Sequence, residues 1–87
     1  MKHVITAREH VNKSGIKETT YKEGRRVLLR IVHPNEFCNG FRVSGCGWCY
    51  DPKTTEDEAR RSAEGYLNRY FSIFGGCAII YNWLRNK

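Results

Sequence analysis

Residues 55–74 contain the one long segment with helical periodicity, and this feature limits what the chain can fold into. Thr55 and Glu58 form a capping-box pattern, in which the threonine hydroxyl accepts a hydrogen bond from the amide three residues on. The spacing of the apolar residues predicts a helix with one apolar face, and Gly75-Gly76 is predicted to end it. These apolar residues, three or four positions apart, are Ala59, Ala63, Tyr66, Leu67, Tyr70 and Phe74.

The strongest strand pattern precedes this helix. Val27, Leu29 and Ile31 alternate with side chains of the opposite face, and Pro34 ends the run because it lacks a backbone donor. Residues 41–50, after a loop that contains Asn39-Gly40, are predicted to form the antiparallel partner strand. The two segments therefore predict a hairpin.

Other parts of the chain carry weaker strand patterns. Residues 2–6 and 17–21 are predicted to be short strands joined through a turn at residues 12–15, and residues 77–84 a closing strand. Gly45 and Gly47, within the second strand of the hairpin, predict a bulge or the close approach of another backbone or ring.

These elements predict one fold class. A chain of 87 residues forms one domain with a thin core, so residues 1–87 are treated as a single domain. We expect an α+β fold, in which a small antiparallel sheet of three to five strands is covered on one face by a single α-helix. One helix cannot cover both faces, so the side chains of the other face are either solvated or used for binding.

The chain is basic, with 15 lysines and arginines against nine acidic residues and a net charge of +6. Residues 1–50 carry +5 of that charge. A basic surface attracts polyanions, which include both nucleic acids and acidic protein faces. The charge therefore indicates an anionic partner without naming its class.

The sequence also bears on compartment. The first nine residues contain no apolar run of signal-peptide length, and the longest apolar run, at residues 77–81, is too short to span a bilayer. We therefore expect a cytoplasmic protein with no membrane partner. In that compartment the four cysteines, Cys38, Cys46, Cys49 and Cys77, are expected to stay reduced.

Cys46 and Cys49 form a C-x-x-C motif. Redox proteins place this motif at the first turn of a helix, whereas here it lies in a predicted strand, where residues three apart point to opposite faces. Zinc binding is a second interpretation, with Cys38, Cys77 and His33 as further ligands, but a strong zinc pattern needs two such pairs. We favour partly buried thiols and expect no metal and no cofactor.

Nothing in the sequence indicates catalysis. His3, His10 and His33 show no local arrangement with an acid and a nucleophile, and no glycine-rich phosphate loop is present. A thin core also offers little to preorganise a catalytic site. We expect that the protein is not an enzyme.

Arginines and aromatic rings on the predicted hairpin are the best candidates for binding. Arg26, Arg30 and Arg42 occupy positions that can share a face with Trp48 or Tyr50, depending on register. Arginine and aromatic residues dominate many protein interfaces, and they also suit phosphates and unstacked bases. We predict these five residues as partner contacts; the alternative is a solvated charged face beside core aromatics.

In size and layout the chain resembles small accessory proteins of phages and mobile elements, notably anti-CRISPR proteins. The features that carry this resemblance are the hairpin from Val27 to Tyr50, the capped helix that opens at residues 55–58, and the closing strand over residues 77–84. The resemblance implies a stoichiometric inhibitor that occupies a surface of a CRISPR effector complex, near the nucleic-acid path. It assigns no functional residues.

Two functions follow as expectations. The first is a non-catalytic binding protein that acts by steric occupation of a protein or ribonucleoprotein partner, as an anti-CRISPR inhibitor would. The alternative is direct nucleic-acid binding through the same basic, aromatic sheet face. The unpaired edges of an open sheet also allow two copies to pair as a homodimer.

Overall fold

The computed structural model describes residues 2–45, 48–49, 53, 55–72 and 78–84. They form six strands and one helix, with an α+β arrangement in which the helix lies on one face of the sheet. In chain order the elements are β1 (Lys2–Val11), β2 (Lys17–Glu23), β3 (Arg26–Val32), β4 (Arg42–Gly45), β5 (Trp48–Cys49), α1 (Glu56–Ser72) and β6 (Ala78–Leu84).

The sheet has the strand order β5-β4-β3-β2-β1-β6. Every neighbouring pair is antiparallel except β1 and β6, which run parallel. The direction of the helix explains this. Its first turns lie at the ends of β1 and β6, where Glu56 approaches Glu9 and Arg60 stacks over Trp83. Its last turn lies at the start of β1, where Phe71 stacks on His3. The helix therefore returns the chain to the end of the sheet at which β1 begins, so that β6 runs parallel to β1. The predicted fold class is confirmed, with β6 making the sheet mixed rather than wholly antiparallel.

Most predicted strands are present, and the two N-terminal strands are longer than expected. The prediction of a single strand over residues 41–50 is wrong. Gly45 pairs with Trp48 and Ser44 with Cys49 in antiparallel register, so the chain reverses between β4 and β5. The predicted helix end at Gly75-Gly76 lies outside the described residues.

The helix begins as its capping pattern predicts. The amide of Glu58 donates to the Thr55 hydroxyl at 3.2 Å, and the amide of Ala59 donates to the Thr55 carbonyl at 3.2 Å. The Thr55 hydroxyl in turn donates to the Glu58 carboxylate at 3.3 Å. Glu56, Asp57 and Glu58 place negative charge beside the positive end of the helix dipole, which stabilises this end.

The core lies between α1 and one face of the sheet. Strand residues of odd number, such as Ile5, Tyr21 and Ile31, are fully buried there. The apolar face of the helix packs on them, as the spacing predicts. The buried apolar residues are Ile5, Ala7, Tyr21, Leu28, Leu29, Ile31, Val43, Ala59, Ala63, Leu67 and Phe71.

A bulge interrupts the β2–β3 pairing between Tyr21 and Lys22. Tyr21 pairs with Leu29 and Lys22 pairs with Val27, so Leu28 is an extra residue on β3. Because side chains alternate between faces, one extra residue reverses the alternation of β3 on its far side. This shift decides which arginines of β3 share a face.

Candidate binding surface

The sheet face away from α1, here called the open face, carries the strand residues of even number on β1 and β2. Arg8 pairs with Thr20, Thr20 with Arg30, and Arg30 with Ser44. Directly paired residues point to the same face, so these side chains form one row across four strands. With strands about 4.8 Å apart, the backbones of Arg8 and Arg30 are separated by about 10 Å.

Further cations flank this row. Arg42 pairs with Val32, which pairs with Glu18, so a second row runs beside the first. Lys22, paired with Thr6, lies on the other side of the first row. The open face thus carries the cations Arg8, Lys22, Arg30 and Arg42, all exposed.

Arg26 is separated from Arg30 and Arg42. It lies beyond the bulge and pairs with Glu23, which belongs to the face under the helix. Its guanidinium donates to the Tyr70 hydroxyl of α1 at 3.2 Å. The bulge is the physical reason, since Arg26 and Arg30 would share a face in a regular strand.

The other predicted contact residues are placed only in part. Trp48 pairs with Gly45 in the β4–β5 hairpin, and Tyr50 lies outside the described residues. Cys46 and Cys77 also lie outside them, whereas Cys38 is a half-buried free thiol whose Sγ contacts the Gly40 carbonyl oxygen at 3.6 Å. The structure therefore brings together Arg30 and Arg42 of the predicted set.

Cations on the helix side of the sheet and on α1 have partners. Lys17 lies 3.3 Å from Glu9, Arg60 lies 2.8 Å from Glu56, and Arg61 lies 2.9 Å from Asp57. Arg60 also stacks over the Trp83 ring, 4.2 Å from its centroid. Within the described part of the chain, by contrast, the four cations of the open face make no ion pair.

The β6 edge of the open face is apolar. Val4 pairs with Ile80, and Leu84 pairs with Arg8. Val4 is 51% exposed, Ile80 is 46% exposed and Leu84 is 43% exposed. A basic area beside exposed aliphatic side chains is a combination that protein interfaces use.

Sequence reasoning missed Arg8 and Lys22. The predicted strands ended at residues 6 and 21, so both cations fell just beyond them. Continued alternation was the available signal, because buried Ala7 and Tyr21 continue the pattern of each strand and place their neighbours on the opposite face.

A polar cluster lies under the N-terminal end of α1. His33 is buried, and its Nε2 is 3.0 Å from the Thr19 hydroxyl and 3.7 Å from the Glu9 carboxylate. Ligand atoms of Glu9, His33 and Glu56 lie within 4.8 Å of one another, a spacing compatible with a metal. Each carboxylate already pairs with a lysine or an arginine, so the charges balance without a metal ion. We interpret the cluster as a structural ion-pair network.

This cluster makes stability depend on pH. Burial lowers the pKa of His33 below its ordinary value of 6.5, against the opposing effect of the nearby glutamates. The folded chain thus favours neutral His33, so its contribution to stability is complete above about pH 6.5 and is lost as pH falls through the lowered pKa. We expect the stability difference between wild type and His33→Asn to shrink from pH 8 to pH 5, by about 1.4 kcal/mol per unit of pKa difference.

Urea denaturation of both proteins at several pH values measures this difference. His3, His10 and the carboxylates are present in both proteins, so the comparison isolates His33. A difference that stays constant across the range would contradict the prediction.

Tyr21 brings a hydroxyl into the core. Its side chain is fully buried, and the hydroxyl has no hydrogen-bond partner among the described residues. Burial, followed by the charge of Glu64, raises the pKa of Tyr21, so the neutral phenol is strongly favoured. The Tyr81 hydroxyl differs, since the Glu64 carbonyl oxygen and the Asn68 side-chain oxygen both lie 3.3 Å from it and can accept its one proton.

Tyr21→Phe is expected to stabilise the fold by about 1 kcal/mol, because it removes a buried polar group that has lost its water. The matched control, Tyr81→Phe, is expected to lose about 1 kcal/mol, since it removes a hydroxyl that donates a hydrogen bond. Thermal or urea unfolding of the two variants measures both effects. Destabilisation by Tyr21→Phe as large as that of Tyr81→Phe would show that the Tyr21 hydroxyl is hydrogen-bonded.

Among the described residues, no helix is both long enough and apolar enough to cross a membrane. No family model matches the sequence, and comparisons with curated proteins and with solved structures find no significant match.

Proposed function

We propose that the protein is a non-catalytic binding module whose open face docks onto an acidic surface of a protein partner. Such docking would act by occupying that surface, as an inhibitor does. The contacts are Arg8, Arg30 and Arg42, with Lys22 at the side of the same area. Arg26 is left out of this set because it lies on the other face.

The unequal pairing of charges is the observation that carries this proposal. The protein neutralises Lys17, Arg60 and Arg61 with its own carboxylates, yet among the described strand residues the open-face cations have only Glu18 on their face. Glu18 lies 3.7 Å from His10. Arginines without an ion-pair partner in the protein are available to an acidic surface, whose carboxylates offset the cost of desolvating them, and their charge raises the association rate.

The apolar edge favours a protein over a nucleic acid. Val4, Ile80 and Leu84 offer aliphatic contact area next to the arginines, which suits a folded protein surface. Binding of single-stranded nucleic acid generally uses aromatic rings on which bases stack. Among described side chains of the open face, His10 is the one ring.

Inhibition of a CRISPR effector complex is the particular case that the resemblance in layout implies. A basic protein could there occupy an acidic patch beside the nucleic-acid path. The proposed docking surface is compatible with that role, and it equally suits other acidic protein partners.

Affinity capture from the native host, before and after nuclease treatment, is the first step of the test. Each captured protein is then purified, and its dissociation constant is measured across a salt series. We expect direct binding that survives nuclease and weakens with salt, because exposed charges are screened.

A gel shift with mixed nucleic acid across the same salt series tests the alternative function, which is direct nucleic-acid binding. Steep salt-dependent binding to nucleic acid, together with loss of capture after nuclease, would overturn the proposal in favour of nucleic-acid binding.

A further inference from the structure

A concave region of about 480 Å³ lies on the open face over β1 and β2. Its lining includes two hydroxyls, Thr6 and Thr20, and two cations, Arg8 and Lys22. Thr6 pairs with Lys22 and Arg8 pairs with Thr20, so the four side chains stand on two adjacent cross-strand pairs. Hydroxyl and cationic side chains therefore alternate around the four positions of these two pairs.

The two cations face the same concavity. Arg8 and Lys22 lie diagonally across these two pairs, where backbones are about 7–8 Å apart and long side chains can converge. Both are exposed and make no ion pair with any residue that the structure describes. Their combined charge of two is available to a ligand.

Hydrogen-bond donors complete the lining. The Thr20 hydroxyl is 2.7 Å from Nε2 of His10, which also lines the region. When His10 donates this bond, the hydroxyl proton of Thr20 is free for a ligand oxygen. Glu18, the carboxylate of the neighbouring pair, lies 3.7 Å from the same nitrogen of His10.

Backbone features shape the region. The bulge at Leu28 of β3 lies beside Lys22, and bulges increase the local twist and often re-aim a side chain at a binding site. Gly24 lies at the rim with φ +61°, a conformation that favours glycine, and no atom lies within 4 Å of the position that a Cβ would occupy. The rim is therefore open.

We propose that this concavity binds the dianion of a phosphate monoester. Two cations balance the charge of a monoester near neutral pH, and the arginine fork with the threonine hydroxyls supplies donors for its terminal oxygens. The volume lies in the range of small-molecule sites, so it leaves room for the organic group that carries the phosphate. This site lies on the proposed docking face, but it does not depend on a protein partner.

The test is an NMR titration of the ¹⁵N-labelled full chain at constant ionic strength. Methyl phosphate is the monoester, inorganic phosphate is the free anion, and dimethyl phosphate is the diester with a single charge. We expect methyl phosphate to shift the amides of Thr6, Arg8, Thr20 and Lys22 with a dissociation constant on the order of 1 mM. Free phosphate should bind within about threefold of the monoester, and the diester should bind at least about tenfold more weakly.

Variants make the test specific. Arg8→Gln with Lys22→Gln should weaken methyl phosphate binding by at least about tenfold, while Lys13→Gln with Arg61→Gln, which removes the same charge from the β1–β2 turn and from α1, should change it less than about twofold. The substituted side chains are exposed, so melting temperature should stay within a few degrees. Equal weakening by both pairs would overturn the proposal in favour of diffuse attraction, and so would equal binding of the diester or the absence of localised shifts. Because no protein partner is present, this result is independent of the proposed docking function.

Discussion

Charge reversal at Arg30 and Arg42 should weaken binding of the acidic partner by about a hundredfold or more, which corresponds to about 2.7 kcal/mol. Both arginines lie on the open face without an ion pair among the described residues, so each new glutamate would face the partner's carboxylates instead of neutralising them. Exposed charges contribute little to stability, so the melting temperature should move by only a few degrees. Calorimetry with the purified partner measures the affinity.

A matched variant controls for net charge. Lys13→Glu with Arg61→Glu changes the total charge by the same amount, but Lys13 lies in the β1–β2 turn and Arg61 on α1. The affinity of this control for the partner should stay within a few fold of wild type. Its folding stability should fall slightly, because the carboxylate introduced on α1 would approach Asp57. Equal loss of affinity in both double variants would indicate attraction to net charge rather than docking on the open face. If the variant with both Arg30 and Arg42 reversed in charge unfolds, these arginines have a structural role.

Phe71→Ala should destabilise the fold by about 3–5 kcal/mol, a large part of the roughly 4–13 kcal/mol expected for a domain of this length. Phe71 of α1 is 5% exposed and packs in the core between the helix and the sheet. Its ring stacks on His3 at 4.1 Å between centroids and meets the edge of Tyr70 at 5.1 Å. Truncation therefore leaves a cavity and removes the support for His3, which pairs with Glu23.

The chain offers a matched control in Phe37, which is 80% exposed in the turn after β3. Phe37→Ala removes the same atoms from a solvated position and should change stability by less than about 0.5 kcal/mol. Urea denaturation of both variants measures the contrast. Similar losses at the two positions would mean that the core described between α1 and the sheet does not carry the stability of the fold.

Local patterns account for much of the fold. The capping residues Thr55 and Glu58 predicted the start of α1, and the alternation of Val27, Leu29 and Ile31 predicted β3. In both cases the signal lies in neighbouring residues, so tertiary context was not needed. The same holds for the closing strand, whose residues predict a strand but not its neighbour in the sheet.

Features that depend on pairing were not predictable. No local signal shows that β6 aligns parallel to β1, because that choice is made by the path of α1 over the sheet. The reversal between Gly45 and Trp48 was hidden for a similar reason, since glycine in a strand fits both a bulge and a turn.

The candidate site shows the same division. Arg30 and Arg42 could be predicted as neighbours from strand alternation, and the structure places both on the open face. Arg26 could not, because the bulge that moves it to the other face arises from the pairing of two strands. Arg8 was missed because the predicted first strand stopped short of it, so the basic row was only partly visible.

The parallel ladder between β1 and β6 joins segments from opposite ends of the sequence. Lys2 pairs with Ala78 and Arg8 with Leu84, so this contact has a high contact order, and closing the long loop between the two strands costs conformational entropy. During translation, β1 can pair with β2 as soon as that hairpin has left the ribosome, but its other edge must wait for the last strand. The nascent protein therefore exposes an unpaired edge of β1 until β6 has been synthesised, a stage at which chaperones protect such edges from aggregation.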